Sequence, residues 1–80
     1  MLWHVKVIAK FGDIIRIAYS YESSYKYDGI IDYNIVTGER VVVVPSDTST
    51  ERSNNQLIAL LRIVYREGNL TEKPYHIATG

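Results

Sequence analysis

The chain has 80 residues, a formal net charge of zero and no cysteine. This length fits one domain, residues 1–80, whose small core leaves only a few kcal/mol of net stability, so that oligomerisation is a common remedy. The charge balance argues against nucleic acid as a partner, because neutralising phosphates takes a basic excess. The lack of cysteine excludes disulfide frameworks and thiolate metal sites. No apolar run approaches a signal-peptide core or the ~18 residues of a membrane span, so we expect a cytoplasmic protein with no membrane partner.

Two strands joined by a turn begin the chain. Residues 3–11 and residues 14–22 both alternate apolar and polar side chains, which is the pattern of a half-buried strand. A glycine and an aspartate lie between the two stretches and favour a turn. We therefore predict an antiparallel hairpin here.

The register of this hairpin follows from its apolar faces. A two-residue turn at Gly12-Asp13 would pair Ala9 with Arg16, and the apolar sides of the two strands would then disagree. Since a slip of one residue flips every side chain to the other face, we predict a three-residue loop, at residues 11–13 or 12–14. That loop sets three apolar residues of each strand side by side: Val5, Val7 and Ala9 with Ile17, Tyr19 and Tyr21.

A second hairpin is predicted further along the chain. Asp28-Gly29 forms a turn or a bulge before a third strand at residues 30–36, and Thr37-Gly38 makes a tight turn into a fourth strand at residues 39–44. The four consecutive valines of the fourth strand are apolar on both faces, which predicts cover on both sides. Pro45 ends the strand. The pairs that this hairpin sets opposite each other are Tyr33 with Val42 and Ile31 with Val44.

The helix is predicted at residues 54–68. Its apolar side chains share one stripe at the i, i+3, i+4, i+7 spacing, widened on both flanks to about 220° of arc. One sheet surface is too narrow for this arc, so a second sheet edge, the C-terminal tail or another subunit must help to cover it. The stripe consists of Leu57, Leu60, Leu61 and Val64, and the widening residues are Ile58, Ile63 and Tyr65.

The ends of the helix carry capping signals. Ser53 with Gln56, or Thr48 with Glu51 one turn earlier, fits the capping box, so the start lies between residues 49 and 54. We favour the later start, because the apolar period begins only after residue 56. Gly68 is predicted as the residue that ends the helix with positive φ.

The predicted order is β-β-β-β-α, an α+β fold. We expect a four-stranded antiparallel meander with one C-terminal helix packed on a sheet face. A short fifth strand at residues 75–77, bounded by Pro74, is a further option.

No motif in the chain fixes a chemistry. His4 and His76 are the only histidines, and they lack the spacing of known metal sites. A G-x-S-x-G elbow and a phosphate-binding glycine loop are also absent. We therefore assign no catalytic, cofactor-binding or metal-binding residue and expect a non-enzymatic protein.

The leading hypothesis is a protein-interaction domain that forms a homodimer, with another protein as an alternative partner. It rests on the wide helix stripe, the valine strand, the zero net charge and a cluster of tyrosines, a residue enriched at protein interfaces. The predicted interface residues are Tyr19, Tyr21, Tyr25, Tyr27, Val42, Val44, Ile58 and Ile63.

Two other classes of function remain open. Aromatic rings interleaved with cations on a sheet can stack single-stranded nucleic acid; the residues concerned are Trp3, Tyr19, Tyr21, Lys6, Lys10 and Arg16. The other class is a small enzyme or ligand-binding protein, with a site near Asp28, Asp32 and His76.

Overall fold

One five-stranded antiparallel sheet and one helix make up the fold, in a computed structural model that describes residues 2–21, 27–46 and 51–78. The strands lie in the order β4-β3-β2-β1-β5, so the first four form a meander and the fifth adds to the free edge of β1. The predicted α+β class, the helix after the fourth strand and the short fifth strand are confirmed. The elements are β1 (Leu2–Phe11), β2 (Ile14–Tyr21), β3 (Gly29–Asn34), β4 (Arg40–Val44), α1 (Glu51–Arg66) and β5 (Tyr75–Ala78).

The β1–β2 hairpin has a two-residue turn, so the predicted three-residue loop is wrong. Phe11 pairs with Ile14, and Gly12 in the turn has a φ of 58°. A bulge at Ile8 then supplies the extra residue, and the apolar faces of both strands come to the same side beyond it. The pairs on that shared face are Trp3 with Tyr21, Val5 with Tyr19 and Val7 with Ile17, whereas Ala9 pairs with Arg16.

The β3–β4 hairpin is wider than the predicted tight turn. The Asn34 side-chain oxygen accepts hydrogen bonds from the backbone N–H groups of Val36 and Thr37, both at 2.9 Å. Gly38, with a φ of 78°, donates its N–H to the Asn34 carbonyl at 2.8 Å. This loop shifts the register by two residues, so both predicted pairs are wrong. The pairs in the structure are Tyr33 with Arg40 and Ile31 with Val42.

β4 is an edge strand, and its apolar run is largely open to solvent. The exposed fractions of Val41, Val43 and Val44 are 61%, 45% and 41%. Val42 alone among the four valines packs against the core. The predicted cover on both faces of this strand is therefore absent from the described part of the chain.

The helix begins at Glu51, three residues before the favoured start at 54, which is therefore wrong; the start does fall within the wider predicted range. Thr48 of the earlier capping box lies outside the described residues. The predicted end is confirmed: Gly68 has a φ of 77° and donates its N–H to the Tyr65 carbonyl at 3.0 Å. The N–H of Asn69 reaches the Val64 carbonyl at 3.1 Å, which completes a Schellman motif.

The core lies between the helix and one face of the sheet, called here the helix side. Leu57 and Leu61 are fully buried there. Both flanks of the helix stripe stay open, since Ile63 on one side is 48% and Tyr65 on the other is 39% exposed. No helix among the described residues has the length and apolarity to span a membrane. The sheet residues most deeply buried beneath the helix are Trp3, Val5, Ile17, Tyr19 and Ile31.

Candidate functional site

Two of the predicted interface tyrosines are core residues. Tyr19 is fully buried and Tyr21 nearly so, and their ring centroids lie 6.0 and 4.4 Å from that of Trp3. The Tyr19 hydroxyl oxygen accepts a hydrogen bond from the buried N–H of Ser46 at 3.0 Å. Packing beneath the helix therefore accounts for both rings, and the folded chain does not present them to a partner.

The other two tyrosines differ from this pair. Tyr25 lies outside the described residues. Tyr27 is half-buried, and the Lys6 ammonium lies 4.6 Å from its ring centroid. This cation–π contact places Tyr27 beside the sheet face opposite the helix, called here the outer face.

The residues predicted for nucleic acid fall on different sides of the sheet. The three aromatic rings lie on the helix side, whereas Lys6 and Arg16 lie on the outer face. Lys10 is exposed and pairs with Ile15, whose side chain belongs to the core. Single-strand recognition needs bases to stack on exposed rings next to cations, and these residues do not form such a platform.

An ion pair lies at the centre of the outer face. Arg16 Nε and Nη2 donate to the two carboxylate oxygens of Asp32 at 2.9 and 3.0 Å, a bidentate geometry. These hydrogen bonds lower the pKa of Asp32 and raise that of Arg16. The Arg16 guanidinium also lies 5.3 Å from the ring centroid of Phe11. Exposed apolar side chains occur around this pair: Ile8, Phe11, Ile14, Val41 and Val44.

The three groups of the predicted small site are far apart. Asp28 and Asp32 are four residues apart along an extended chain, about 13 Å at ~3.3 Å per residue. His76 is on β5, three strands away from β3, or about 14 Å at ~4.8 Å per strand. These groups therefore share neither a proton nor a metal ion.

His76 instead contacts the other histidine. It pairs with His4 across β1 and β5, and the two ring centroids are 4.5 Å apart in an edge-on arrangement. No group of three or more potential metal ligands occurs among the described residues.

The predicted apolar interface residues divide into two groups. Val42 and Val44 lie on the β4 edge, and Ile58 is next to that strand, because Arg40 Nη1 donates to the Ile58 carbonyl at 3.1 Å. Ile63 follows five residues later and lies about 140° around the helix axis at ~100° per residue. Three of the four thus lie near β4, with Val42 and Ile58 on the helix side and Val44 on the outer face, whereas Ile63 lies apart from them.

A groove that the sequence reasoning missed lies between α1 and the β3–β4 hairpin. Its volume is about 470 Å³. Two arginines of the helix, Arg62 and Arg66, line it together with Arg40 from β4. Its aromatic wall is formed by Tyr33 and Tyr65, whose ring centroids are 5.8 Å apart. The i, i+4 spacing of the helix arginines is visible in the sequence, but their approach to Arg40 depends on the β3–β4 register.

Comparison of the sequence and the fold with known proteins identifies no relative of this chain. No protein-family model, no curated protein and no solved structure matches the chain. The fold and its surfaces therefore define the class of protein: an α+β domain with one helix on one side of an antiparallel sheet.

Proposed function

We propose that this protein is a non-enzymatic interaction domain that forms a homodimer along the edge of β4. The observation that carries the proposal is the composition of that edge. Within Arg40–Val44, four of the five residues are valine, three of them exposed. Edge strands usually carry lysine, proline or inward-pointing charges that prevent pairing. Pro45 follows this strand and a bulge bends its end, but the strand itself contains neither lysine nor proline.

The edge is complementary to a second copy of itself. In an antiparallel pair of β4 strands centred on Val42, the two Arg40 residues would lie at opposite ends of the paired segment and not opposite each other. Like charges directly opposite each other are destabilising in a sheet, and this arrangement avoids them. The two five-stranded sheets would join into one ten-stranded sheet, with both helices on the same side.

The whole-chain charge also favours self-association. The net charge is zero, so no long-range repulsion opposes the approach of two identical copies. A stable interface takes about 800 Å² from each partner, roughly one sixth of the 5089 Å² surface of the chain. Five edge residues do not supply this area, so we expect the contact to extend to Val41 on the outer face and to Ile58 on the helix side.

The proposal includes a cytoplasmic location, as expected from the sequence. Fractionation of cells that produce the protein with a small epitope tag would test it. Recovery in the membrane or secreted fraction would contradict this part of the proposal.

Solution mass measured by light scattering across a hundredfold dilution tests the dimer. We expect a dimer for the native chain and a monomer for Val43→Lys, because a lysine on an edge strand prevents pairing. The matched control is Val36→Lys, which places the same charge on a valine that is 71% exposed in the β3–β4 loop. The control should remain dimeric.

Two results would overturn the proposal. One is a native chain that is monomeric over the whole concentration range, which would mean that the β4 edge binds a different protein. The other is a Val43→Lys variant that remains dimeric, which would place the interface elsewhere on the surface.

A further inference from the structure

The groove between α1 and the β3–β4 hairpin concentrates positive charge in a neutral chain. Arg40, Arg62 and Arg66 line it, and the described residues of the lining include no aspartate or glutamate. The ion pair between described residues, Arg16 with Asp32, lies on the outer face of the sheet. Arg62 and Arg66 are one helical turn apart, where like charges repel. A bound anion would offset that repulsion.

Arg40 is held in place at the strand side of the groove. Its Nη1 donates to the carbonyl oxygen of Ile58 in the middle of α1, at 3.1 Å. A guanidinium has five N–H donors, so this bond orients the side chain towards the helix and leaves most of its donors without a partner among the described residues. The fork of an arginine matches two oxygens of a phosphate group, which makes arginine a preferred phosphate ligand.

The groove also contains a partly exposed aromatic ring. Tyr65 is 39% exposed. Its ring packs against that of Tyr33, with an angle of 53° between the ring planes. An exposed aromatic face supports stacking of a nucleobase, worth about 1–3 kcal/mol in known single-strand complexes. The 470 Å³ volume lies within the roughly 300–1,000 Å³ that small-molecule sites occupy.

We propose that this groove binds a nucleotide, with its phosphate on the three arginines and its base on the Tyr65 ring. The two parts of the ligand follow from two separate observations. The three arginines, in a lining whose described residues include no aspartate or glutamate, select the phosphate. The partly exposed ring of Tyr65 selects a planar ring over a sugar phosphate.

The test is a titration of the isotope-labelled protein with adenosine monophosphate, followed by the shifts of its backbone amide signals. We expect saturable shifts confined to the β3–β4 loop and the last two turns of α1. Arg62→Gln and Arg66→Gln should each weaken binding about tenfold, the loss of one charge-assisted contact. Arg52→Gln is the matched control, since Arg52 is an exposed arginine of the same helix outside the groove lining.

Separate ligands test the two parts of the proposal. Inorganic phosphate and ribose 5-phosphate should bind more weakly than the nucleotide, and Tyr65→Leu should remove that difference. Equal binding of all three by the native chain would overturn the assignment of the base. Equal weakening by Arg52→Gln, or no shift at millimolar nucleotide, would overturn the site. The solution mass of each variant keeps this test separate from that of the dimer.

Discussion

Replacing Tyr19 with phenylalanine tests how the segment between β4 and α1 is held against the sheet. The Tyr19 ring is fully buried, and its hydroxyl oxygen accepts the N–H of Ser46 at 3.0 Å. Ser46 follows β4 and is itself buried, with an exposed fraction of 3%. Tyr19→Phe therefore removes the acceptor of this buried backbone N–H.

The size of the effect follows from that one group. A buried donor without a partner costs about 1–3 kcal/mol, whereas the ring volume is almost unchanged. For a domain of this size each kcal/mol lowers the melting temperature by about 4–8 °C, so we expect a loss of roughly 5–20 °C. Urea unfolding followed by circular dichroism should show a lower midpoint with an unchanged slope.

Tyr33→Phe is the matched control for this measurement. Tyr33 is also buried on the helix side, but its hydroxyl has no hydrogen-bond partner among the described residues. Its loss should change the free energy of unfolding by a few tenths of a kcal/mol at most, as is typical of a substitution that removes no buried contact. If Tyr19→Phe were as stable as this control, the bond to Ser46 would not anchor the connection.

Three further predictions concern a glycine contact, an ion pair and a helix end. Gly29→Ala should destabilise the fold by about 1–3 kcal/mol in urea unfolding, because the added methyl group would overlap the Tyr19 ring; unchanged stability would show that the ring moves aside without cost. Asp32→Asn should lower stability at neutral pH, and the difference from the native chain should shrink as the pH falls. The sign follows from the lowered pKa of Asp32: its contribution is present above the unfolded pKa near 4 and is lost as the pH falls through the folded pKa. A difference that is constant with pH would contradict the role of Arg16. Gly68→Ala should cost about 1 kcal/mol in thermal unfolding, since it places a side chain at a φ of 77°; an unchanged midpoint would contradict the cap.

The hydrophobic pattern was enough to predict the class of fold. The alternation over residues 3–7 and the helical stripe around Leu57 and Leu61 specify which side of these segments is buried. Beyond the bulge the alternation of β1 is misleading, since Phe11 was predicted on the buried face and is 56% exposed. The glycine that ends the helix was also predictable, because few other residues adopt its backbone conformation without strain. These signals are local, and each can be read within one element.

Strand register was predicted less well, because it depends on small differences between alternative turns. A bulge at Ile8 and a longer turn both align the apolar faces of β1 and β2, and the pattern of side chains does not distinguish them. In the second hairpin the missed signal was Asn34. An asparagine at the end of a strand often accepts hydrogen bonds from the next backbone N–H groups and so begins a wider loop.

The same register error concealed the groove. The predicted pairing set Tyr33 opposite Val42, which gives the tyrosine an apolar neighbour. The structure pairs Tyr33 with Arg40 and so brings that arginine to the helix. The helix arginines alone resemble an ordinary solvated face. A basic site could be recognised only after the strand and the helix were placed together.

The position of β5 beside β1 has a consequence for how the chain folds. Leu2 pairs with Ala78, so this contact joins residues separated by almost the whole sequence. Closing so large a loop is entropically costly, and contacts of this kind slow folding. While the protein is being synthesised, one edge of β1 stays unpaired until residues 75–78 have left the ribosome. Unpaired edges make partly folded chains prone to aggregate. The partly folded chain is therefore exposed to aggregation along the free edge of β1 until residues 75–78 pair with it.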